Sequence, residues 1–206
     1  MYSVRQWFAT ATLAVFVCGA SQLLAQSNDD RKWVDDHFPQ VLQTLFPLES
    51  PTAYIAYRSH RDLYTDTLEY SFVVSREVSA QDSGQSVRLV AYVRHADAVS
   101  VYDQMMALHR ESPKRSAESI RKGLRVKVSS LTESNCPAVR TQFLKFQQLQ
   151  LVPPQFNVIV LHPLIHEFRV RAAMGDMDVV LYAEDSSLVQ WALETRHELE
   201  LCSKDH

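Results

Sequence analysis

The stretch from Phe156 to Leu201, FNVIVLHPLIHEFRVRAAMGDMDVVLYAEDSSLVQWALETRHELEL, limits the folds open to this chain more than any other. Phe156–Leu161 is a continuous apolar run. Ile165–Ala173 alternates, with Ile165, Glu167, Arg169 and Arg171 on one parity and His166, Phe168, Val170 and Ala172 on the other. Met177–Ala183 is apolar again. Alternation marks a half-buried strand, and short apolar runs bounded by turns mark buried ones. Leu188, Ala192, Thr195, Leu199 and Cys202 then repeat at spacings of four and three, a helical stripe after Asp185.

Upstream, Val34, Phe38, Val41, Leu42 and Leu45 predict a helix ending near Phe46-Pro47. Pro39 inside it predicts a kink, or else a start near Phe38. Strands are expected over Ala53–Arg58, Thr67–Arg76 and Ser86–Arg94, with Ser59–Asp66 and Val78–Gln85 as polar connections. Asp97 is expected to cap a helix carrying Val99, Tyr102, Met106 and Leu108, stopped by Pro113. Ser116–Lys122 reads as a short helix with Gly123 in the left-handed position after it. Leu124–Ser130 alternates as a half-exposed strand. Asn135 is expected to cap a helix with Val139, Phe143 and Phe146 as its stripe, ended by Pro153-Pro154.

Successive strands joined by short turns pair antiparallel, and helices cover one face of such a sheet. The expected fold is α+β: a mainly antiparallel sheet of six to seven strands with helices packed on it. Both halves, 29–112 and 135–202, read helix, three strands, helix, which suggests a tandem duplication within a single domain over 26–206. Glu69-Tyr70-Ser71-Phe72 resembles Glu167-Phe168-Arg169-Val170, and Leu89-Val90-Ala91-Tyr92 resembles Val179-Val180-Leu181-Tyr182.

Residues 1–25 have the layout of a secretory signal peptide: Arg5, the uncharged apolar run Phe8–Cys18, then candidate cleavage sites after Ala20 and Ala25. The apolar run is shorter than the roughly 20 residues a spanning helix needs. Val17 before Cys18 is a poor match to a lipid-attachment site. Export to a periplasmic or extracellular space is therefore expected, with no membrane span after signal removal. It leaves Cys136 and Cys202, an even pair that suggests a disulfide in an oxidising compartment. If their helices pack antiparallel, the start of one lies beside the end of the other.

Composition excludes several classes of function. A net charge of −3 does not suit a general nucleic-acid binder. With four glycines and no GxGxxG or GxxxxGK[ST], a phosphate-cradling loop is not expected. No GxSxG elbow is present, and the acid pairs Asp29-Asp30, Asp35-Asp36 and Glu184-Asp185 sit where helix starts place acids. No cofactor is expected.

Two features carry possible chemistry. A three-residue loop in His162-Pro163-Leu164-Ile165-His166 would make His162 and His166 cross-strand partners with Cβ atoms about 5 Å apart, close enough to share a zinc or copper ion. No third ligand is visible, and surface histidines on a polar tip are the simpler reading. Arg110, Lys114, Arg115, Arg121, Lys122, Arg125 and Lys127 face only Glu111 and Glu118, a bias that suits an anionic partner or simply a solvated helix and edge strand. Tyr54, Tyr57, Tyr70, Tyr92 and Tyr182 would line a groove or fill the core. The expected function is a non-enzymatic exported binding or envelope-interaction module with a protein or envelope partner. The rival is a small exported hydrolase, metal-dependent, centred on His162 and His166.

Overall fold

The computed structural model describes residues 28–61, 68–81, 84–150, 164–172, 175–182 and 185–204. The expected signal peptide, Pro153-Pro154, the strand expected over Phe156–Leu161 and His162 lie outside them. The fold is α+β. Among the described residues, five helices accompany a six-stranded sheet, and every strand pair is antiparallel. The helices are α1 (residues 28–45), α2 (Val101–Glu111), α3 (Ala117–Gly123), α4 (Ala138–Gln147) and α5 (Ser187–Lys204). The strands are β1 (Ala53–Arg61), β2 (Tyr70–Gln81), β3 (Gly84–Ala96), β4 (Val126–Thr132), β5 (Leu164–Ala172) and β6 (Gly175–Leu181), in spatial order β4-β3-β2-β1-β5-β6.

The chain divides into two compact units. One joins the described residues up to Val41 with Tyr102–Leu124; the other joins Leu42–Val101 with Arg125 onward. In the first, Val34, Phe38, Met105 and Ile120 are buried, and Phe38 meets Tyr102 edge-on at 5.4 Å. Trp33 is stacked between His37 and His109, each ring 4.2 Å away. The helix α1 runs unbroken through Pro39, so a start near Phe38 is ruled out. Val34 and Phe38 extend the buried stripe of Val41 and Leu42, and that burial outweighs the helix cost of an exposed proline, about 3 kcal/mol. Gly123 ends α3 inside the helix rather than in a left-handed cap, with Leu124 extended after it. A Cβ at Gly123 would stand 3.1 Å from a Leu108 methyl, so close approach explains this glycine better than φ does.

In the second unit, alternate residues of the strands build the main core against α4 and α5. Ile55, Tyr57, Tyr70, Phe72, Ala91, Val93 and Phe168 meet Val139, Leu188, Val189, Trp191, Ala192 and Leu199. A register shift between Ala53 and Ile55 turns both Tyr54 and Ile55 toward the helices, and Tyr54 packs on Phe143 at 5.0 Å. Helices α4 and α5 run antiparallel. The Trp191 indole N–H donates to the Gln142 carbonyl at 2.9 Å, while Cys136, just before α4, lies at disulfide distance from Cys202 near the end of α5, Cα to Cα 5.6 Å.

Several local expectations are corrected. Within the expected polar turn Val78–Gln85, Val78–Gln81 and Gly84–Gln85 are strand, the outer part of a long hairpin whose ladder runs through Val78↔Val87 to Gln81↔Gly84. Ser59–Arg61 belongs to β1 and pairs with β5, and Ser59 also pairs with Tyr70 of β2. Asp97 does not cap α2: Lys127 engages its carboxylate at 2.8 Å, while buried Glu69 accepts from the Val101 N–H at 2.7 Å. The buried side of α2 is Val101, Tyr102, Met105 and His109, whereas Val99 is exposed. Asn135 caps no helix. Its side chain accepts from the Thr132 N–H at 2.6 Å and so closes the turn after β4. In β4 only Leu131 is buried, because this edge strand presents Val128 to solvent. Gly175, at φ 132°, opens β6 where the hairpin from β5 closes, a backbone state few other residues adopt.

Candidate functional site

The strand β5 sits between β1 and β6, which decides where His166 goes. Its partners across the sheet are Ser59 and Leu181. His166 lies within a three-stranded ladder, fully buried on the helix-covered face, and the other member of the expected histidine pair, His162, lies outside the described residues. The parity that grouped His166 with Phe168 and Val170 already placed it there. Its Nδ1 lies 2.9 Å from the Tyr57 hydroxyl, and its Nε2 has no hydrogen-bond partner among the described residues. Burial, followed by the charge of nearby His60, pushes the imidazole down to about 4, so it is neutral at physiological pH. Among the described residues no group of three or more His, Cys, Asp or Glu side chains is arranged to hold a metal ion.

Glu167, on the opposite sheet face, binds two partners from β1. Arg58 donates to one carboxylate oxygen and His60 Nε2 lies 2.7 Å from the other. Burial pushes the Glu167 carboxyl upward, but the hydrogen bonds from His60 and Arg58 and the Arg58 charge outweigh it and hold it at about 2.

His166 makes stability depend on pH in a defined direction. Its pKa falls from 6.5 to about 4 on folding, so the unfolded chain binds the proton more readily in that window. Stability from this group is complete above pH 6.5 and declines as pH falls toward 4, by at most about 3 kcal/mol. Urea unfolding between these limits should show a shallower pH slope for His166→Gln than for the parent. Equal slopes would mean that the imidazole already titrates normally in the fold.

The basic residues divide between the two units. Arg110, Lys114, Arg115, Arg121 and Lys122 stand in the first; Arg125 and Lys127 stand in the second. Arg110 reaches Asp30 at 3.3 Å, Lys122 pairs with Glu118 at 3.1 Å and Lys127 with Asp97 at 2.8 Å. The tyrosines do not share a groove. Tyr57 and Tyr70 are core residues of the helix-covered face, Tyr92 bonds Glu77 on the other face, and Tyr182 is exposed.

The feature least expected from sequence is the edge strand β6. Met177–Ala183 reads as a buried strand, yet among the described residues nothing pairs with the outer side of β6, and Met177, Val180 and Tyr182 are exposed at 40%, 50% and 54%. Edge strands are normally blunted by Lys, Pro or unpaired charge. The other edge, β4, carries Lys127 and two serines. In β6 the two acids are drawn back onto their own sheet: Arg171 Nε donates to Asp176 at 3.1 Å and Arg169 Nε lies 3.5 Å from Asp178. Among the described residues, that leaves the outer edge of β6 without a strand partner or a blunting lysine or proline. The signal in the sequence was the pair Asp176 and Asp178 at alternate positions, since a strand buried on both faces has no room for them. In comparisons with protein-family models, curated proteins and solved structures, no match to this chain is found.

Proposed function

We propose that the protein is a non-enzymatic, exported binding module that takes an extended peptide strand of a protein partner onto the outer edge of β6. The single observation behind this reading is that edge itself. The outward backbone groups of β6 have no strand partner among the described residues, its acids lie within reach of Arg169 and Arg171, and Met177, Val180 and Tyr182 stand in solvent. Strand addition draws affinity from the main-chain ladder and specificity from alternate side chains, which here would meet Met177 and Val180. The cysteine pair at disulfide distance fits an oxidising compartment, and no helix among the described residues is long and apolar enough to cross a membrane. Buried His166, held by Tyr57, gives a hydrolase no accessible base.

The test is selection from a displayed library of random ten-residue peptides. The parent protein should enrich sequences that alternate apolar residues, and Val180→Lys, which puts a charge on the exposed edge, should lose them. Peptides retained equally by both proteins, or no enrichment at all, would remove β6 as the binding edge.

A further inference from the structure

The geometry points to a second copy of this chain as the strand that completes β6, an inference that rests on the edge reading above and names its partner. Two copies of β6 paired antiparallel about Val179 would set Asp178 opposite Val180, Met177 opposite Leu181 and Asp176 opposite Tyr182. Every acid then meets an apolar residue, and no two like charges face one another. A parallel, in-register pair would instead stack Asp176 on Asp176 and Asp178 on Asp178, which opposed strands do not tolerate well. The antiparallel pairing about Val179 thus fits the strand to itself better than the in-register parallel one. Asp176 is held by Arg171 at 3.1 Å, while Asp178 shares Arg169, at 3.5 Å, with Glu49 at 2.9 Å, so the edge keeps acid charge that antiparallel pairing sets against apolar residues rather than against itself. The two-fold gives a closed, self-complementary interface, the commonest form of protein dimer. It joins two six-stranded sheets through one shared ladder and removes both β6 edges.

A contact of one short strand is small, so the dimer is weak and forms with rising concentration. Sedimentation of the full protein should shift from one copy toward two between roughly 1 μM and 1 mM, the range in which weak interfaces populate. Val180→Lys should remain a single copy throughout, while Leu144→Lys, an equally exposed apolar site on α4, should dimerise like the parent. The register is tested by cysteines at exposed positions, with Cys136 and Cys202 left in place. A mixture of Asp178→Cys and Val180→Cys proteins should form the cross-linked pair on the order of tenfold faster than either alone, since only the mixture places two thiols opposite one another. Equal rates overturn the register. A parent that stays a single copy at the highest concentration overturns the second copy as partner. If that single copy still selects peptides that Val180→Lys loses, the open edge itself stands. If it selects none, both readings fall together.

Discussion

Reduction of the protein, or Cys202→Ser, is expected to lower its unfolding free energy by about 4 kcal/mol. The cysteines are separated by 66 positions, and a bond across that span removes loop-closure entropy from the unfolded chain of about that size. The fold accommodates the bond because α4 and α5 lie antiparallel: Gln142 meets Trp191 and Thr195 midway, and the start of one helix falls beside the end of the other. Cys136 is fully buried and Cys202 half-buried, so neither thiol rearranges freely. A loss of this size is a large share of a usual domain stability of about 5–15 kcal/mol. Urea unfolding with and without reductant measures it, and thiol titration of the unreduced protein in denaturant reports whether the bond is present. Free thiols, or unchanged midpoints after reduction, would contradict the expectation.

Glu167→Ala should cost a similar amount, about 3–5 kcal/mol, the usual penalty when one partner of a buried ion pair is removed. Arg58 is 8% exposed and also donates to the Phe46 carbonyl at 3.1 Å. Without the carboxylate its charge stays in the fold with only a carbonyl to answer it. Glu167→Gln keeps the shape and one acceptor, and should lose less. The same ionisation gives the parent an acid limit. The carboxyl titrates at about 2 in the fold against 4.5 unfolded, so its stabilisation is complete above pH 4.5 and drains away as pH falls toward 2. Urea unfolding of both variants at pH 7, and of the parent below pH 4.5, would check this. A Glu167→Ala protein within about 0.5 kcal/mol of the parent would show that water already screens the cluster.

The parts of this fold that were legible in the sequence are those where period and burial coincide. The stripe Leu188, Ala192, Thr195 and Leu199 is the buried side of α5, and the parity of β5 correctly set His166 apart from Glu167. The cysteine pair was legible because two helices, one beginning and one ending at a cysteine, have few ways to share a sheet face. What stayed hidden depends on partners far along the chain. Nothing near Glu69 marks it as the acceptor for Val101, and a local reading chose Asp97 because Asp is a good cap. The strand arms within Val78–Gln85 read as a turn because their serine, alanine and glutamine composition is that of a loop. The pairing of His166 with Ser59 depends on strand order, which no short window of sequence encodes.

That strand order also has a consequence for the growing chain. The neighbours of β1 are β2, which follows it directly, and β5, whose His166 lies 109 residues beyond Tyr57. As the polypeptide emerges from its N-terminus, β1 to β3 can close as a meander and β4 can join it after α2 and α3, but one side of β1 waits bare until Leu164 and its successors arrive. The waiting segment includes Ile55, Ala56 and Tyr57, all fully buried in the finished protein. Late closure of a non-local strand is slow, and the exposed side is the kind of surface on which half-made chains stick together. The hazard thus lies in biogenesis, in the interval before the strand that covers β1 is delivered.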